Sequence, residues 1–184
     1  METHASRIVL IGPEASGKTT LARELAEAFN LPWTPEAARL FAESSVEPLS
    51  SGTVDPIARL SMQLEDEILG AMPRAAEPRS GIAIVRDTDL VSTVVYARHY
   101  YGRVDDWIVA ESRVRQGALY LLCAPDLPWL PDGVRDRPLH REALHRDFRN
   151  ELASMNARVV DVTGAGAERR IAALEAVSSL LTSR

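Results

Sequence analysis

Four short apolar runs punctuate the chain: "RIVLIG" beginning at Arg7, "GIAIVRD" at 81–87, "ALYLLCAP" at 118–125 and "ARVVDVTG" at 157–164. Each is rich in Ile, Val or Leu and is bounded by polar, Gly or Pro residues. Segments apolar on both faces are buried on both faces, which predicts strands of a parallel sheet. Helical patterns lie between them. "KTTLARELAEAF" sets Leu21, Leu25 and Ala28 on one face, and "PIARLSMQLEDEILGAM" carries Ile57, Leu60, Leu64 and Ile68 as a stripe of period 3.6. "LVSTVVYARHYYG" and "DDWIVAESRVRQG" read as two more helices, each expected to close on its glycine. "LHREALHRDFRNELASMN" and "AERRIAALEAVSSLL" complete the set. Alternating strands and helices imply right-handed crossovers and a three-layer α/β/α sandwich with a mostly parallel sheet. Two stretches break the periodicity: 44–56 reads as a loop, and the proline-rich 124–139 is long enough to serve as a lid over a site.

Length and composition narrow the class. A chain of 184 residues suits one α/β domain, taken as 1–184 with a lid at about 124–141. The hydrophobic share of 46% is enough for a real core. A net charge of -5 argues against a general nucleic-acid binder, which needs a basic face. No apolar run approaches the roughly 20 residues of a membrane span. The start "METHASR" lacks the apolar core of a signal peptide, so a cytoplasmic protein is expected. The single cysteine, Cys123, lies inside an apolar run and is expected to be a buried strand residue.

The chemistry begins where the first strand ends. "GPEASGKT" at 12–19 fits G-x-x-x-x-G-K-[ST] in full, between a predicted strand and a predicted helix. Backbone N–H groups of such a turn point inward at phosphate oxygens, and the helix N-terminus adds its dipole. Nucleotide contact is therefore expected from Gly12, Pro13, Glu14, Ala15, Ser16, Gly17, Lys18, Thr19 and Thr20. Lys18 would reach the β/γ oxygens of ATP, and the Thr19 hydroxyl would hold Mg²⁺. No N-K-x-D element of the guanine-specific kind occurs, which tilts the expectation toward ATP.

A second cluster follows the strand at 81–87. "RDTDLVST" sets Asp87 and Asp89 at the strand's carboxyl end, the edge at which ligands bind in open α/β sheets. One acid can contact metal or accept the proton of an attacking hydroxyl, and the other can bind substrate. Spacing does not divide these roles, and Asp89 could equally cap the helix that follows. Thr93, Tyr96 and Tyr100 share one face of that helix. The third cluster is "PWLPDGVRDRPLHREALHR", with Arg135, Arg137 and Arg141 around a D-G turn. Such arginines would offset charge on a moving phosphoryl group and close the site to water. His99, His140 and His145 show no metal-ligand spacing with a carboxylate and read as surface or helix residues; His4 lies near the chain end.

The segments "GPEASGKTTL", "RDTDLVSTVVYARHYYG" and "PWLPDGVR" together resemble the ribosylnicotinamide kinase domain of NadR-type proteins, P-loop kinases allied to the AAA-like ATPases. The resemblance spans nearly the whole chain. Its elements are G-P-E-x-S-G-K-[ST], D-T-D-x-x-[ST]-T with a Tyr before a Gly, and P-W-x-x-D-G-x-R. "PEAARLF" at 35–41 resembles the family's E-x-[AG]-R element and supplies Glu36 and Arg39; Gln63 falls where relatives often carry a glutamine. The resemblance implies transfer of the ATP γ-phosphate to the 5′-hydroxyl of nicotinamide riboside, giving nicotinamide mononucleotide. It implies catalytic roles for Lys18, Asp87, Arg135 and Arg141, with Thr19 and Asp87 on the metal. Substrate contacts would come from Trp33, Glu36, Arg39, Gln63, Asp87, Asp89 and Tyr96. Where relatives often have tyrosines, this chain has Ala37 and Phe41, so Trp33 becomes the candidate to stack on a cationic pyridinium ring. Glu36 and Arg39, three apart, are expected on one helix face. The adenylyltransferase domain of full-length NadR proteins has no counterpart in these residues. Two other readings stand beside this one: a kinase for another nucleoside or nucleotide, and a regulatory nucleotide-binding ATPase.

Overall fold

The computed structural model describes residues 6–71, 82–129 and 138–182. The chain folds into a five-stranded sheet in the order β2-β3-β1-β4-β5. The strands are β1 (Ser6–Ile11), β2 (Trp33–Thr34), β3 (Ile82–Asp87), β4 (Leu119–Cys123) and β5 (Val159–Val162). Every pairing is parallel. The four apolar runs became four of these strands, β1 and β4 among the most deeply buried segments of the chain. The fifth strand, β2, has only two residues, too short to leave a periodic signal.

The helices are α1 (Lys18–Phe29), α2 (Ala37–Ser44), α3 (Val54–Ala71), α4 (Leu90–Tyr101), α5 (Asp106–Val114), α6 (Arg141–Ser154) and α7 (Gly166–Thr182). α1 and α7 cover one sheet face, where Leu21, Leu25, Val177 and Leu180 pack on Ile8, Leu10, Leu119 and Leu121. α4 and α6 cover the other, where Val91, Val95, Leu144 and Phe148 meet Val9, Ile11, Tyr120 and Leu122. Alternate residues of β1 thus go to opposite layers, as a pleated strand requires. On α1 the buried face is Leu21, Ala22, Leu25 and Ala26; Ala28 is exposed, one position off the expected stripe. Cys123 is fully buried at the end of β4, as its setting implied.

Two helix readings need correction. α4 closes on Gly102 in the left-handed region, but α5 ends at Val114 and is capped by Arg115. Gly117 does a different job: its N–H donates to Tyr120 Oη at 3.0 Å, and a Cβ there would lie 2.8 Å from Val9 Cγ2. Close approach, not helix termination, requires that glycine. The segment 44–56 is not all loop, since it holds a 3₁₀ turn at Ser51–Thr53 and the first residues of α3. Pro56 sits in the first helical turn, where its missing N–H has no intrahelical partner to lose.

The face of α3 turned to the sheet is largely polar. Its buried residues are Ile57, Ala58, Ser61 and Glu65, while Leu60 and Leu64 turn toward α2. Glu65 has no exposed surface and pairs with Arg86 of β3 and with Arg7 of β1, the latter at 2.5 Å. Arg115 stands 3.6 Å away. Arg86 also donates from Nη2 to the Ser61 carbonyl and hydroxyl at 2.9 and 2.8 Å. Cations on β1 and β3 thereby fix α3 to the sheet edge through one carboxylate. Removing one member of a buried pair strands the others without compensation. Glu65→Ala is therefore expected to lower stability by about 3–5 kcal/mol, measured by urea denaturation. A loss below about 1 kcal/mol would show that α3 is held by its apolar contacts alone.

Candidate functional site

The register of the central strands builds the site. Leu10 of β1 pairs with Asp87 of β3, and the Thr88 N–H donates to the Leu10 carbonyl at 3.0 Å. The turn after β1 and the acids after β3 therefore emerge side by side at the carboxyl edge of the sheet. Gly12 has φ 140, and a Cβ on it would stand 2.5 Å from the Cys123 carbonyl oxygen. Only glycine lets the turn lie this close against β4. Gly17 then serves as the N-cap of α1 in the left-handed conformation.

Within the turn, Lys18 is buried and its Nζ donates to the Pro13 carbonyl at 2.7 Å; Ser16 Oγ donates to the same oxygen at 2.8 Å. Thr20 points to solvent from α1. Thr19 Oγ1 donates to Asp87 Oδ2 at 2.5 Å, so α1 and β3 meet in one hydroxyl–carboxylate contact. Asp87 is fully buried, and its Oδ1 has no hydrogen-bonding partner among the described residues. A hydroxyl and a carboxylate with a spare oxygen are hard donors of the type that Mg²⁺ takes. The residues present thus fit a Mg²⁺–nucleotide, with Thr19 and Asp87 as the side chains that would hold the ion.

Burial, with the negative Glu36 adding to it, raises the Asp87 carboxyl to about 6, against the opposing effects of Lys18, the Thr19 hydrogen bond and Arg39. Glu36 and Arg39 thus lie within electrostatic reach of Asp87. They do not share a helix face as expected: Glu36 is the extended N-cap residue of α2, and Arg39 is on the helix.

Asp89 is the N-cap of α4. Its Oδ1 accepts from the Val91 N–H at 2.9 Å and its Oδ2 from Tyr120 Oη at 2.9 Å. Burial raises its carboxyl, with Arg86 opposing. Asp89 is therefore committed to scaffold hydrogen bonds while still contributing to the wall of the adjoining cleft. Of the two roles that spacing left open for it, the cap is the one made here.

That cleft lies among α2, the 3₁₀ turn, α3 and α4, is partly open to solvent and has a cavity volume of about 50 Å³. One wall is tyrosine: Tyr96, Tyr100 and Tyr101. Tyr96 stacks on Tyr100 with centroids 5.9 Å apart and meets Phe148 edge-on at 5.5 Å, so it is at once core and wall. Tyr100 Oη donates to Glu14 Oε1 at 3.2 Å, tying the wall to the phosphate turn. The lining includes Glu36 and Asp89 and, among the described residues, no Lys or Arg.

Three comparisons bear on this arrangement. A model of the family described as "AAA domain" matches residues 7–170. The chain belongs to that AAA domain family. Among solved structures, a NadR protein in complex with NR has a TM-score of 0.78 at 19% identity, covering 96% of this chain and 51% of that one. A NadR protein in complex with NAD and AMP-PNP has a TM-score of 0.71 at 20% identity, covering 96% and 50%. Thymidylate kinase from Ehrlichia chaffeensis has a TM-score of 0.57 at 17% identity, covering 96% and 98%. The chain spans about half the length of the NadR structures it matches. No curated protein sequence matches it. The fold of this AAA domain protein is thus that of P-loop nucleotide kinases.

Other expected site residues of this AAA domain protein fall differently. Trp33 turns from β2 toward the α1/α7 layer, packs on that core, and carries Arg23 over its ring at 5.0 Å. Its face already holds a cation, and it takes no part in the cleft, where the tyrosines of α4 provide the aromatic wall. Gln63 is exposed on α3 and donates to Glu67 at 2.8 Å, also outside the cleft. Arg141 is buried at the start of α6 and donates to the Leu127 and Ala15 carbonyls at 3.0 and 3.2 Å. It braces the turn through Ala15, a residue in the left-handed region at φ 51. Arg135 and Arg137 lie outside the described residues. His99 does have a carboxylate partner, contrary to its spacing: Nδ1 is 2.7 Å from Asp147, and Nε2 is 2.9 Å from His140. No cluster suited to a metal occurs among the His, Cys, Asp and Glu of the described residues. No described helix is long and apolar enough to cross a membrane.

Because its folded pKa is raised, Asp87 contributes stability that is complete below about 3.8 and is lost as pH rises through about 6. Without nucleotide, Asp87→Asn should gain about 2 kcal/mol over the unsubstituted protein between pH 4 and pH 7.5. Urea denaturation at the two pH values checks this. Glu36→Gln should recover part of the same difference, since it removes the carboxylate that raises Asp87. Identical pH dependence in all three proteins would show that Asp87 ionises freely.

Proposed function

We propose that this protein is an ATP-dependent kinase that phosphorylates the 5′-hydroxyl of nicotinamide riboside. The observation that carries the reading is the lining of the cleft beside the phosphate turn, walled by tyrosines and carboxylates and, among the described residues, by no Lys or Arg. A nucleoside monophosphate brings two negative charges and calls for cations that this lining lacks. A ribosylated pyridinium is a cation, and tyrosine faces with nearby carboxylates attract it. The likeness to a NadR protein in complex with NR supports the same choice. Its weight is that of a shared fold, and the acceptor is argued from the cleft.

In this reading the turn at 12–19 binds the β- and γ-phosphates through its N–H groups, and Lys18 moves from the Pro13 carbonyl to their oxygens. Mg²⁺, when bound, neutralises charge on those oxygens. Asp87 stands at the end of β3 next to Thr88 of the cleft wall; with Thr19 it would hold the ion, and its ionised form would orient the 5′-hydroxyl and take its proton as the phosphoryl group transfers. Arg39, near enough to Asp87 to lower its pKa, offsets charge on the transferred group. Arg141 holds the crest of the turn in shape through the Ala15 carbonyl. Arg135 keeps the lid role assigned from the sequence.

The test is a panel of nucleosides and nucleoside monophosphates with Mg²⁺-ATP, scored for phosphorylated product. Nicotinamide riboside should be the preferred acceptor, and Asp87→Asn should lose at least about 100-fold in kcat while still binding ATP. Preference for a monophosphate, or ATP hydrolysis with no acceptor used, would overturn the reading in favour of a nucleotide kinase or a regulatory ATPase.

A further inference from the structure

Ser92 lies on α4, in the acid-bearing segment after β3, and forms part of the acceptor cleft. It is 5% exposed, and its Oγ has no hydrogen-bonding partner among the described residues. Buried hydroxyls are nearly always satisfied, so an unpaired one on a cleft wall marks a place where a ligand group belongs. Ser61 contributes to the same lining from α3 and is also buried. Its Oγ already accepts from Arg86 Nη2 at 2.8 Å, which leaves its own proton to be donated. One hydroxyl thus donates, and the other can donate or accept. A primary carboxamide offers the complementary set, one carbonyl acceptor and two N–H donors. A carboxylate offers acceptors only, and it would enter a lining that contains Glu36 and Asp89 without a Lys or Arg among the described residues.

We propose that Ser92, assisted by Ser61, reads a primary carboxamide on the base of the acceptor and so selects an amide over the corresponding acid. This rests on the nicotinamide riboside kinase reading and names the specificity-determining side chains within it. Arg86, itself held by Glu65, occupies one lone pair of the Ser61 hydroxyl and so favours its use as a donor. Ser92 supplies the second contact from the opposite helix, and the tyrosines hold the plane of the ring.

The experiment measures kcat and KM of the full chain with Mg²⁺-ATP and three ribosides: nicotinamide riboside, nicotinic acid riboside, and pyridine riboside without a substituent. The unsubstituted protein should prefer the amide by about tenfold or more over each of the others. Ser92→Ala should raise KM for nicotinamide riboside about 5–20-fold with kcat within about twofold, and leave pyridine riboside unchanged. Ser61→Ala should weaken the same preference. An equal loss on all three ribosides in Ser92→Ala, or no loss on any, overturns the role of Ser92 while the kinase reading stands. Equal kcat/KM for the amide and the unsubstituted riboside in the unsubstituted protein overturns it as well, whether or not the variants fold. Failure of all three ribosides as acceptors overturns both this inference and the reading beneath it.

Discussion

A single buried carboxylate organises the cleft side of this molecule. Glu65 has no contact with water and sits among Arg86, Arg7 and Arg115, which come from two strands and the end of a helix. An ion cluster without solvent tolerates little displacement, because each charge depends on its neighbours for the hydration it has lost. α3 is therefore held at one height and rotation over β1 and β3. The cleft wall follows from that placement: Ser61 is one turn before Glu65, and the opposite wall is the helix that begins after Asp89. Arg86 also precedes Asp87 in β3, so the strand that fixes the cleft is the one that delivers the acid.

The donor side rests on a different kind of constraint. The phosphate turn is defined by its own backbone, with Gly12 pressed against β4 and Arg141 bracing Ala15 from α6. Among the described residues, side-chain hydrogen bonds join the two halves at Thr19 with Asp87 and at Glu14 with Tyr100. Each joins an element of the turn to an element of the acceptor region.

What the sequence made legible was whatever is local or periodic. The turn at 12–19, the four apolar strands and the acids after β3 all depend on neighbours in the chain, and each fell where its pattern put it. What escaped depends on partners distant in sequence. The stripe Ile57, Leu60, Leu64 and Ile68 was visible, but the sheet-facing side of α3 is Ser61 and Glu65, polar residues that become interior only because Arg86 and Arg7 meet them. Trp33 was the conspicuous aromatic, yet the direction of a two-residue strand decides which layer it enters, and no pattern encodes that. Gln63 was placed by resemblance, and the rotation of α3 set it outward. Arg141 looked like a mobile charge, and only the tertiary packing shows its two terminal nitrogens held by backbone carbonyls. Asp89 carried both a cap signal and a site signal, and the hydroxyl of Tyr120, 31 residues away, completes the cap arrangement.

The closeness of Gly12 to β4 has one more consequence. The carbonyl beneath that glycine belongs to Cys123, whose thiol is sealed in the core and, through burial, held in the protonated form up to about pH 11. Thiolate is the species that reacts with alkylating reagents, so the folded chain is inert to them at its only cysteine. The residue then acts as an internal clock: its modification rate counts how often the strand beneath the phosphate turn opens to solvent, without any label being introduced.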